Sequence, residues 1–475
     1  MVYGSPPSLQ ELALQCLVRN EGLTDSVLEN LPKVFFSPLF KEADIQRKTT
    51  MIKSLVEYWP YSSLHVGLLI NKPKLQNLQA ILDGLDTWLK RKYRPRKTRL
   101  QVVDLNGYAS SDMQDGREGR DHLVETKLEG QVVEGFSRYT RKCLRVFIDL
   151  SFMSSRHEDE YQIQLLQWAK NKKDSLHLCC ENLEIGAIEV SKVREELNIL
   201  QLEYVKQLEL NTVGSISKLA KLIPCISKMR NLQKLMLVRI FGTRTYTREE
   251  NDNVTKIMSL FPKLTCLQDL TIDDVYFLTD HMEELFRCLG ASLVSLKITL
   301  CQLSQSDLVS FAQDWNYSQL KHLCLRGATL TYLNIMPLKL FLDSVADNLQ
   351  TLELEDCRMN DSHLSVLLPA LIQCLQLTSI NLFDNDISMD ALKKFLLNTT
   401  HMSQLTTEMY PAPVEVYNES NYVDVETFSE LCAELKDELS AVRQPKSICF
   451  GSYYCYDCDT RYTYEDDVMF CLCVE

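Results

Sequence analysis

The sequence predicts an α/β leucine-rich-repeat solenoid, a horseshoe with parallel strands on its concave face and helices outside. Two segments, residues 349–359 and 377–387, follow one template, L-x-x-L-x-L-x-x-(N/C)-x-(L/I/M), and begin 28 residues apart. The intervening run 361–374 has the length and composition of a helix. One repeat cannot bury its own apolar strand and helix faces, so the rest of the chain is expected to supply further repeats and caps.

Length and composition are compatible with this fold. The 475 residues exceed one ordinary globular core, a limit that a solenoid avoids because each repeat contacts only its neighbours. The net charge of −13 argues against general binding to nucleic acid or to anionic membranes. No signal-peptide pattern and no long apolar run occurs. The 17 cysteines are therefore expected to be reduced thiols and metal ligands, in the cytoplasm and the nucleus.

Residues 1–98 are predicted to form a helical N-terminal cap. Its first helix begins with a capping box, in which the Ser8 hydroxyl and the Glu11 carboxylate each bond the other residue's backbone N–H. The apolar positions that follow share one helical stripe: they are Leu9, Leu12, Ala13, Cys16 and Leu17. Two interpretations of this stripe stay open: it packs on its own domain, or it docks a partner protein.

Three further segments are delimited by composition. The basic run 90–99 contains seven Lys and Arg in ten residues and is interpreted as a solvated connector, with nuclear import or phosphate contact as the alternative. The repeat region is predicted over residues 99–410. A polar stretch without a period, at about 107–135, is interpreted as a flexible insertion within it.

The repeat region is expected to end near residue 410, where two prolines within 409–422 mark the end of the stack. Residues 411–445 are predicted to hold a C-terminal capping helix, because 425–442 is amphipathic. Residues 446–475 form a cysteine-rich tail.

Seven repeat strands align on a middle apolar residue, at positions 208, 235, 270, 296, 323, 352 and 380. Side chains alternate along a strand, so the residues beside these positions face outward on the concave face. That row mixes acidic, basic and apolar groups, which suits a protein partner better than a nucleic-acid track or a catalytic centre. The residues predicted to bind the partner are Glu209, Met236, Asp273, Lys297, Arg326, Glu353, Glu355, Asn381 and Phe383.

Four cysteines of the tail have a metal-binding spacing. Cys455 and Cys458 form C-x2-C, and Cys471 and Cys473 form C-x-C after twelve intervening residues. Two close pairs of thiolates can surround one tetrahedral Zn²⁺, and four protein ligands leave no open position for a substrate water. We therefore predict a structural zinc site, with four incidental cysteines as the alternative.

Enzyme motifs give no support to a catalytic function. The sequence contains no G-x-x-x-x-G-K-[ST], G-x-G-x-x-G or H-E-x-x-H pattern. His363 falls on a predicted repeat helix and is interpreted as a satisfied surface or core histidine. The chain is expected to be a non-catalytic interaction protein.

Taken together, these segments resemble the PRAME family of leucine-rich-repeat proteins (preferentially expressed antigen in melanoma), including its rodent oogenesin-like members. The matching segments extend over nearly the whole length of the chain. They are residues 6–17, 55–69, 82–105, 176–180, 351–371 and 410–417, together with the CxxC…CxC tail.

The resemblance implies a partner for the first helix. Members of the family are similar to substrate receptors of cullin-2-type RING ubiquitin ligases, which dock elongin B/C through a box of the form S/T/A/P-L-x-x-x-C-x-x-x-aliphatic. Ser8, Leu9 and Leu17 match this box, but Ala13 stands at its cysteine position. A second frame through Leu12 and Cys16 keeps the cysteine but ends on a polar residue.

The resemblance also implies cellular roles: transcriptional repression, differentiation, proliferation and restraint of apoptosis in the germline or early embryo. The protein substrate is not specified by the sequence. A ligase-independent transcriptional corepressor or scaffold, using the same concave face, is the alternative function.

Overall fold

The computed structural model contains two compact units. It describes residues 9–19, 25–70, 73–90, 100–107, 143–153, 159–187, 189–241, 247–313, 317–443, 446–455, 458, 460–465, 468–469 and 471. The first unit comprises Met1–Leu183 and Ser191–Val205, and the second comprises Glu184–Val190 and Lys206–Glu475. Most of the basic run and of the predicted insertion lie outside the described residues. Apart from the end of the repeat region near residue 410, the domain boundaries drawn from the sequence stay predictions.

The first unit combines helices with a short parallel sheet. Its described helices are Leu9–Arg19, Asp25–Asn30, Phe36–Ile45, Thr49–Glu57, Val66–Leu69, Leu75–Lys90 and Glu160–Lys170. The sheet has the order β1-β2-β3-β5, formed by β1 (Ser63–His65), β2 (Val102–Asp104), β3 (Leu144–Phe147) and β5 (Leu176–Cys179). Two further strands, β4 (Leu150–Phe152) and β6 (Asn182–Ile185), and the helix Val190–Leu197 complete the described elements before residue 200.

An aromatic cluster forms part of the core of the first unit. The fully buried ring of Trp59 packs edge-on against Phe36 and Phe40, with centroid distances of 6.0 and 5.9 Å. Its indole N–H donates to the Ser63 carbonyl at 2.8 Å, at the start of β1. A buried indole is stable only when its N–H finds an acceptor, so this bond ties the helical part of the unit to the sheet.

The second unit contains nine consecutive parallel strands among its described residues. They are β7 (Gln207–Ser215), β8 (Lys234–Phe241), β9 (Asp269–Val275), β10 (Ser295–Thr299), β11 (His322–Cys324), β12 (Thr351–Glu353), β13 (Ser379–Asn381), β14 (Thr407–Pro411) and β15 (Ile448–Gly451). Two short antiparallel strands, β16 (Thr463–Tyr464) and β17 (Val468–Met469), follow β15.

Helices separate these strands along the chain, as the repeat prediction requires. They are Ile216–Ile226, Arg248–Met258, Met282–Cys288, Gln305–Phe311, Met336–Val345, Asp361–Leu371, Met389–Asn398 and Val425–Val442. The predicted middle residues, from Leu208 to Ile380, lie in register with one another and are all buried. The leucine-rich-repeat fold predicted from the sequence is confirmed.

A left-handed backbone conformation recurs at a fixed position in six successive repeats. Six residues with φ between 51° and 71° stand four positions after successive middle residues: they are Arg239, Asp274, Leu300, Gly327, Asp356 and Asp384. Asp and Gly tolerate this conformation better than residues with bulky side chains. Arg239 and Asp274 lie within β8 and β9, and the other four residues follow the ends of β10 to β13.

The N/C position of the template supplies a buried hydrogen-bond donor. Asn385 Nδ2 donates to the carbonyls of Leu354 and Leu382, each at 2.8 Å, and its Oδ1 accepts from the Met359 N–H. In the preceding repeat, Cys357 Sγ donates to the Leu325 carbonyl at 3.0 Å. Because buried carbonyls need partners, this position requires a side chain that can donate.

The prediction that the stack ends at the prolines within 409–422 is wrong. Strand β14 pairs in parallel with β13 and β15, and Pro411 is its last residue. The helix Val425–Val442 is present, with Phe428, Cys432 and Leu435 buried. It lies between two parallel strands in the chain, however, and so occupies a repeat-helix position rather than the end of the sheet.

The repeat that contains β14 does not match the template because a glutamate occupies the position of the middle apolar residue. Glu408 pairs in register with Ile380, 28 residues earlier, and its side chain is fully buried. The carboxylate accepts hydrogen bonds from the Tyr410 hydroxyl at 2.8 Å and from Arg443 Nη1 at 2.6 Å. Arg443 also donates to the Thr399 hydroxyl. A buried carboxylate needs these partners to offset its lost hydration.

His363 is a satisfied, buried histidine, as predicted. The Asn360 side chain caps the helix Asp361–Leu371 by accepting from the backbone N–H of Ser362 and His363. The ring Nδ1 of His363 accepts in return from the Asn360 N–H at 3.1 Å. Only a ring whose Nδ1 carries no proton can accept this bond. Burial lowers the pKa of His363 below its ordinary value of 6.5.

Acidification should therefore weaken this cap. The unfolded chain binds the His363 proton at a higher pH than the folded chain does, so the free energy of unfolding falls as the pH drops below about 6.5. The His363→Gln variant keeps an acceptor at the third helical position but does not titrate. Urea unfolding between pH 7.5 and 5 should show a smaller loss of stability for this variant. Equal pH dependence of the two proteins would contradict the assignment.

Candidate protein-interaction surfaces

The first helix, Leu9–Arg19, exposes the stripe that the sequence analysis singled out. Leu9 is 87% exposed and Leu12 is 48% exposed, and Ala13 and Cys16 are also exposed. The helix instead buries Leu14, at 8%, and Val18, at 1%. Because 100° separates successive residues, Leu14 and Val18 lie on the face opposite Leu9.

Within the described residues the stripe does not pack on its own domain, and docking of a partner protein stays a prediction. The helix packs against Phe36–Ile45 through its narrower second face, and the broader stripe stays accessible. Leu17, at the border of the two faces, is half-buried. Ser8 lies outside the described residues, so the predicted capping box stays a prediction.

The predicted concave-face residues differ in accessibility along the sheet. Lys297 and Arg326 are exposed. Five others are half-buried: they are Glu209, Met236, Asp273, Glu353 and Glu355. Asp273 accepts a hydrogen bond from the Thr299 hydroxyl of the neighbouring strand. The strand alternation predicted from the sequence holds for these seven residues, and the surface they form is polar with both charge signs.

Asn381 and Phe383 are the two predicted contact residues that the structure does not leave accessible, at 7% and 8% exposure. Asn381 Nδ2 donates to Glu355 Oε2 at 2.8 Å, and its Oδ1 accepts from the Phe383 N–H. The guanidinium of Arg461 lies 4.6 Å from the centroid of the Phe383 ring. The prediction that these two residues face a partner is corrected, because both are buried, and Arg461 of the C-terminal segment lies over the Phe383 ring.

Arg461 is a central residue of this part of the unit that the sequence analysis missed. Its Nη2 lies 2.9 Å from Asp384 Oδ2 and 3.5 Å from Glu355 Oε1. Its guanidinium also lies 3.8 Å from the centroid of the Tyr454 ring. One sequence signal was available: Arg461 is the single basic residue of the segment 447–475, which contains six acidic residues.

Three of the four cysteines predicted to bind metal come together. The Sγ atoms of Cys455, Cys458 and Cys471 lie within 4.8 Å of one another, and those of Cys458 and Cys471 are 3.0 Å apart. Cys471 is buried and the other two are half-buried. Cys473 lies outside the described residues, so the predicted fourth ligand stays a prediction.

The buried repeat cysteines lack the chemistry of nucleophiles. Burial raises the pKa of the Cys301 thiol to about 11 and that of the Cys324 thiol to about 12. Thiolate is the reactive form, so these side chains act as small apolar groups and weak donors at neutral pH. Among the described helices, none is both long and apolar enough to cross a membrane.

Comparison with known proteins agrees with this architecture. Residues 6–112 match the PRAME N-terminal domain, and residues 144–473 match the PRAME C-terminal domain. Mouse preferentially expressed antigen in melanoma-like protein 7 is 66% identical, with 100% of both chains covered. Human PRAME family member 8 is 37% identical over 100% of both chains, and mouse Oogenesin-3 is 36% identical over 98% of this chain and 95% of its own.

Solved structures show more distant similarity. An internalin from Listeria monocytogenes aligns with a TM-score of 0.35 and 15% identity, over 75% of this chain and 82% of its own. Mouse RP105 in complex with MD-1 aligns with a TM-score of 0.31 and 12% identity, over 70% and 47% of the two chains. The two domain matches and the full-length relatives are decisive: the chain belongs to the PRAME family.

Proposed function

We propose that this protein is the substrate-recognition subunit of a cullin-2-type RING ubiquitin ligase. Family membership supports the coarser role, a protein-interaction scaffold. One observation carries the finer role: the stripe of Leu9, Leu12, Ala13 and Cys16 is exposed on a helix that packs through its other face. An apolar stripe at i, i+3, i+4 and i+7 is the pattern by which a helix fills a groove of a partner.

The occupant of this stripe is proposed to be elongin C, within elongin B/C. Leu9 stands at the leucine position of the box and projects almost entirely into solvent. Ala13 replaces the cysteine of the box and fills a pocket less completely, while Leu12 and Cys16 extend the same apolar surface. The proposed protein substrate binds the concave face of the second unit, where Lys297 and Arg326 are exposed beside half-buried acidic residues.

Co-elution is the direct test of this proposal. The full chain mixed with purified elongin B/C should elute as one ternary complex in size-exclusion chromatography, and addition of cullin-2 should extend that complex. Separate elution of the wild-type chain and elongin B/C at micromolar concentrations would overturn the proposal.

A second function is favoured by Ala13 at the cysteine position: a ligase-independent transcriptional corepressor or scaffold, acting in nucleus and cytoplasm. Here the concave face recruits its partner without elongin. Proximity labelling of the intact chain in cells separates the two functions, since the first recovers elongin and cullin components together with a substrate. The second recovers partners of the face alone. The family roles in repression, differentiation, proliferation and apoptosis fit either function.

A further inference from the structure

We propose that the thiol cluster of Cys455, Cys458 and Cys471 binds one zinc ion, and that this ion holds the C-terminal segment as an intramolecular cover on the loops that follow strands β12 and β13. The cover is defined as the described residues 452–455, 458, 460–465, 468–469 and 471. Its contact group is Arg461. This inference concerns the second unit alone and is independent of elongin binding.

The thiols already have nearly the spacing that zinc requires. With Zn–S distances of about 2.3 Å, two sulfurs of a tetrahedral site stand about 3.8 Å apart. The three Sγ atoms lie within 4.8 Å of one another, and those of Cys458 and Cys471 are 3.0 Å apart. Shifts of about 1 Å or less bring them to a metal. A disulfide needs about 2.05 Å, so the present arrangement is one of thiols.

Thiolate-rich tetrahedral sites favour zinc over harder cations. On binding, each coordinating thiol releases its proton to solvent and no electron is transferred. The predicted fourth ligand, Cys473, follows Cys471 by two residues in the sequence.

Backbone bonds link the thiols to the contact group. The Cys455 N–H donates to the Thr460 carbonyl at 2.7 Å, and the Ser452 N–H donates to the Tyr462 carbonyl at 2.9 Å. The Tyr462 N–H donates to the Ser452 hydroxyl in return. Arg461 therefore lies on a loop whose base is closed by hydrogen bonds and whose cysteines converge. A metal that joins those cysteines fixes the position of the guanidinium.

The seat of Arg461 is acidic and aromatic. Glu355 and Asp384 approach the guanidinium from the loops that follow β12 and β13, and the rings of Phe383 and Tyr454 stack near it. Arginine suits such a seat because its planar guanidinium combines ionic hydrogen bonds with stacking. A second contact joins the cover to the same loops, since the Tyr453 hydroxyl donates to Asp386 Oδ1 at 2.9 Å.

The ion pairs of Arg461 with Asp384 and Glu355 alone stabilise the position of the cover only weakly. Asp384 Oδ1 and Arg461 Nη1 are buried and have no hydrogen-bond partner among the described residues. Burial raises the pKa of Asp384, and the neighbouring Arg461 opposes that shift. Burying two charges costs much of what their attraction gains, unless every polar atom is satisfied. A zinc ion that cross-links the cysteines restricts the cover before it binds the loops. The cover then loses less conformational entropy on binding, which stabilises the bound state.

Metal occupancy then determines which part of the concave face is open. With zinc bound, the Phe383 ring is covered by Arg461, and a partner meets the surface nearer Lys297 and Arg326. Without zinc, the Phe383 ring and the carboxylates of Asp384 and Glu355 become accessible. This combination favours binding of cationic side chains.

The test measures zinc content and hydrogen exchange on the full chain. Purified protein should contain about one zinc per chain, and a Cys458→Ser, Cys471→Ser double variant should contain none. In that variant, amide exchange in peptides covering residues 381–385 and 452–464 should accelerate by at least about tenfold. Exchange across β7 to β10 should stay unchanged. The matched control is Cys266→Ser, because Cys266 is exposed and lies outside the cluster.

Two further samples keep the test decisive. Arg461→Ala should retain zinc but accelerate exchange at residues 381–385, which separates the metal from the contact group. Wild-type protein stripped with a chelator should open the same peptides and close them again when ZnCl₂ is added. Wild-type protein without zinc would overturn the proposal, and so would loss of zinc with unchanged exchange at residues 381–385.

Discussion

Replacing Arg443 by alanine should lower the free energy of unfolding around β14 by about 3–5 kcal/mol. The variant leaves the Glu408 carboxylate fully buried without its cationic partner, and among the described residues only the Tyr410 hydroxyl still donates to it. Burial and the adjacent Glu408 raise the pKa of Tyr410 well above its ordinary value, so the phenol stays protonated and keeps that bond. One neutral donor cannot replace a guanidinium that donates through two nitrogens.

Urea unfolding monitored by hydrogen exchange in β13 to β15 measures this loss of stability locally. A local measurement is needed because the chain has two units that can unfold separately. The informative comparison is the Glu408→Leu, Arg443→Met double variant, which restores the leucine of the repeat template. It should be within about 1 kcal/mol of wild type or more stable, since well-packed apolar groups often replace a buried ion pair without loss. If Arg443→Ala alone costs less than about 1 kcal/mol, the ion pair is not what holds this repeat together.

Replacing Leu9 by glutamate should abolish co-elution with elongin B/C under the proposed function. An anchor that fills a partner's pocket contributes at least about 2 kcal/mol, or about thirtyfold in Kd, and a charge there adds a desolvation cost. Leu9 is almost fully exposed in the chain itself. The substitution should therefore leave the thermal unfolding of the protein unchanged, which isothermal titration and differential scanning fluorimetry test together.

Ile45→Glu is the matched control, because Ile45 is another highly exposed aliphatic residue of the first unit. It should bind elongin B/C as wild type does. Ala13→Cys restores the cysteine of the box and should tighten binding by about 1 kcal/mol or less. Unimpaired binding by Leu9→Glu would place the docking surface elsewhere, even if the wild-type chain co-elutes.

The repeats were predictable because burial of one strand face imposes an apolar residue at a fixed period. The same logic failed at β14, since a template search cannot recognise Glu408 as a core residue. Its partner Arg443 is 35 residues away, and no local pattern connects the two. The strand and the repeat-helix position of Val425–Val442 became visible only once the pairing of β13, β14 and β15 was known.

For the candidate surfaces, too, features set by local sequence spacing could be predicted, whereas features set by contacts between distant residues could not. The helical stripe at Leu9 was evident from its spacing, but its exposure depends on Leu14 and Val18 packing the opposite face. Alternation along and after β13 predicted Asn381 and Phe383 to be accessible, but both are buried. It could not reveal that Arg461, 77 residues after Asp384, would return to cover Phe383.

The short hairpin that follows β15 has a consequence for solubility. A parallel sheet ends in a row of unpaired backbone groups, which can template the addition of a strand from another molecule. Here β15 pairs with β16 in the opposite direction, and each strand of the hairpin is only two residues long. Reversal of direction and short length both make a poor template. The C-terminal segment thus protects the sheet from edge-to-edge aggregation at the end where the repeats stop.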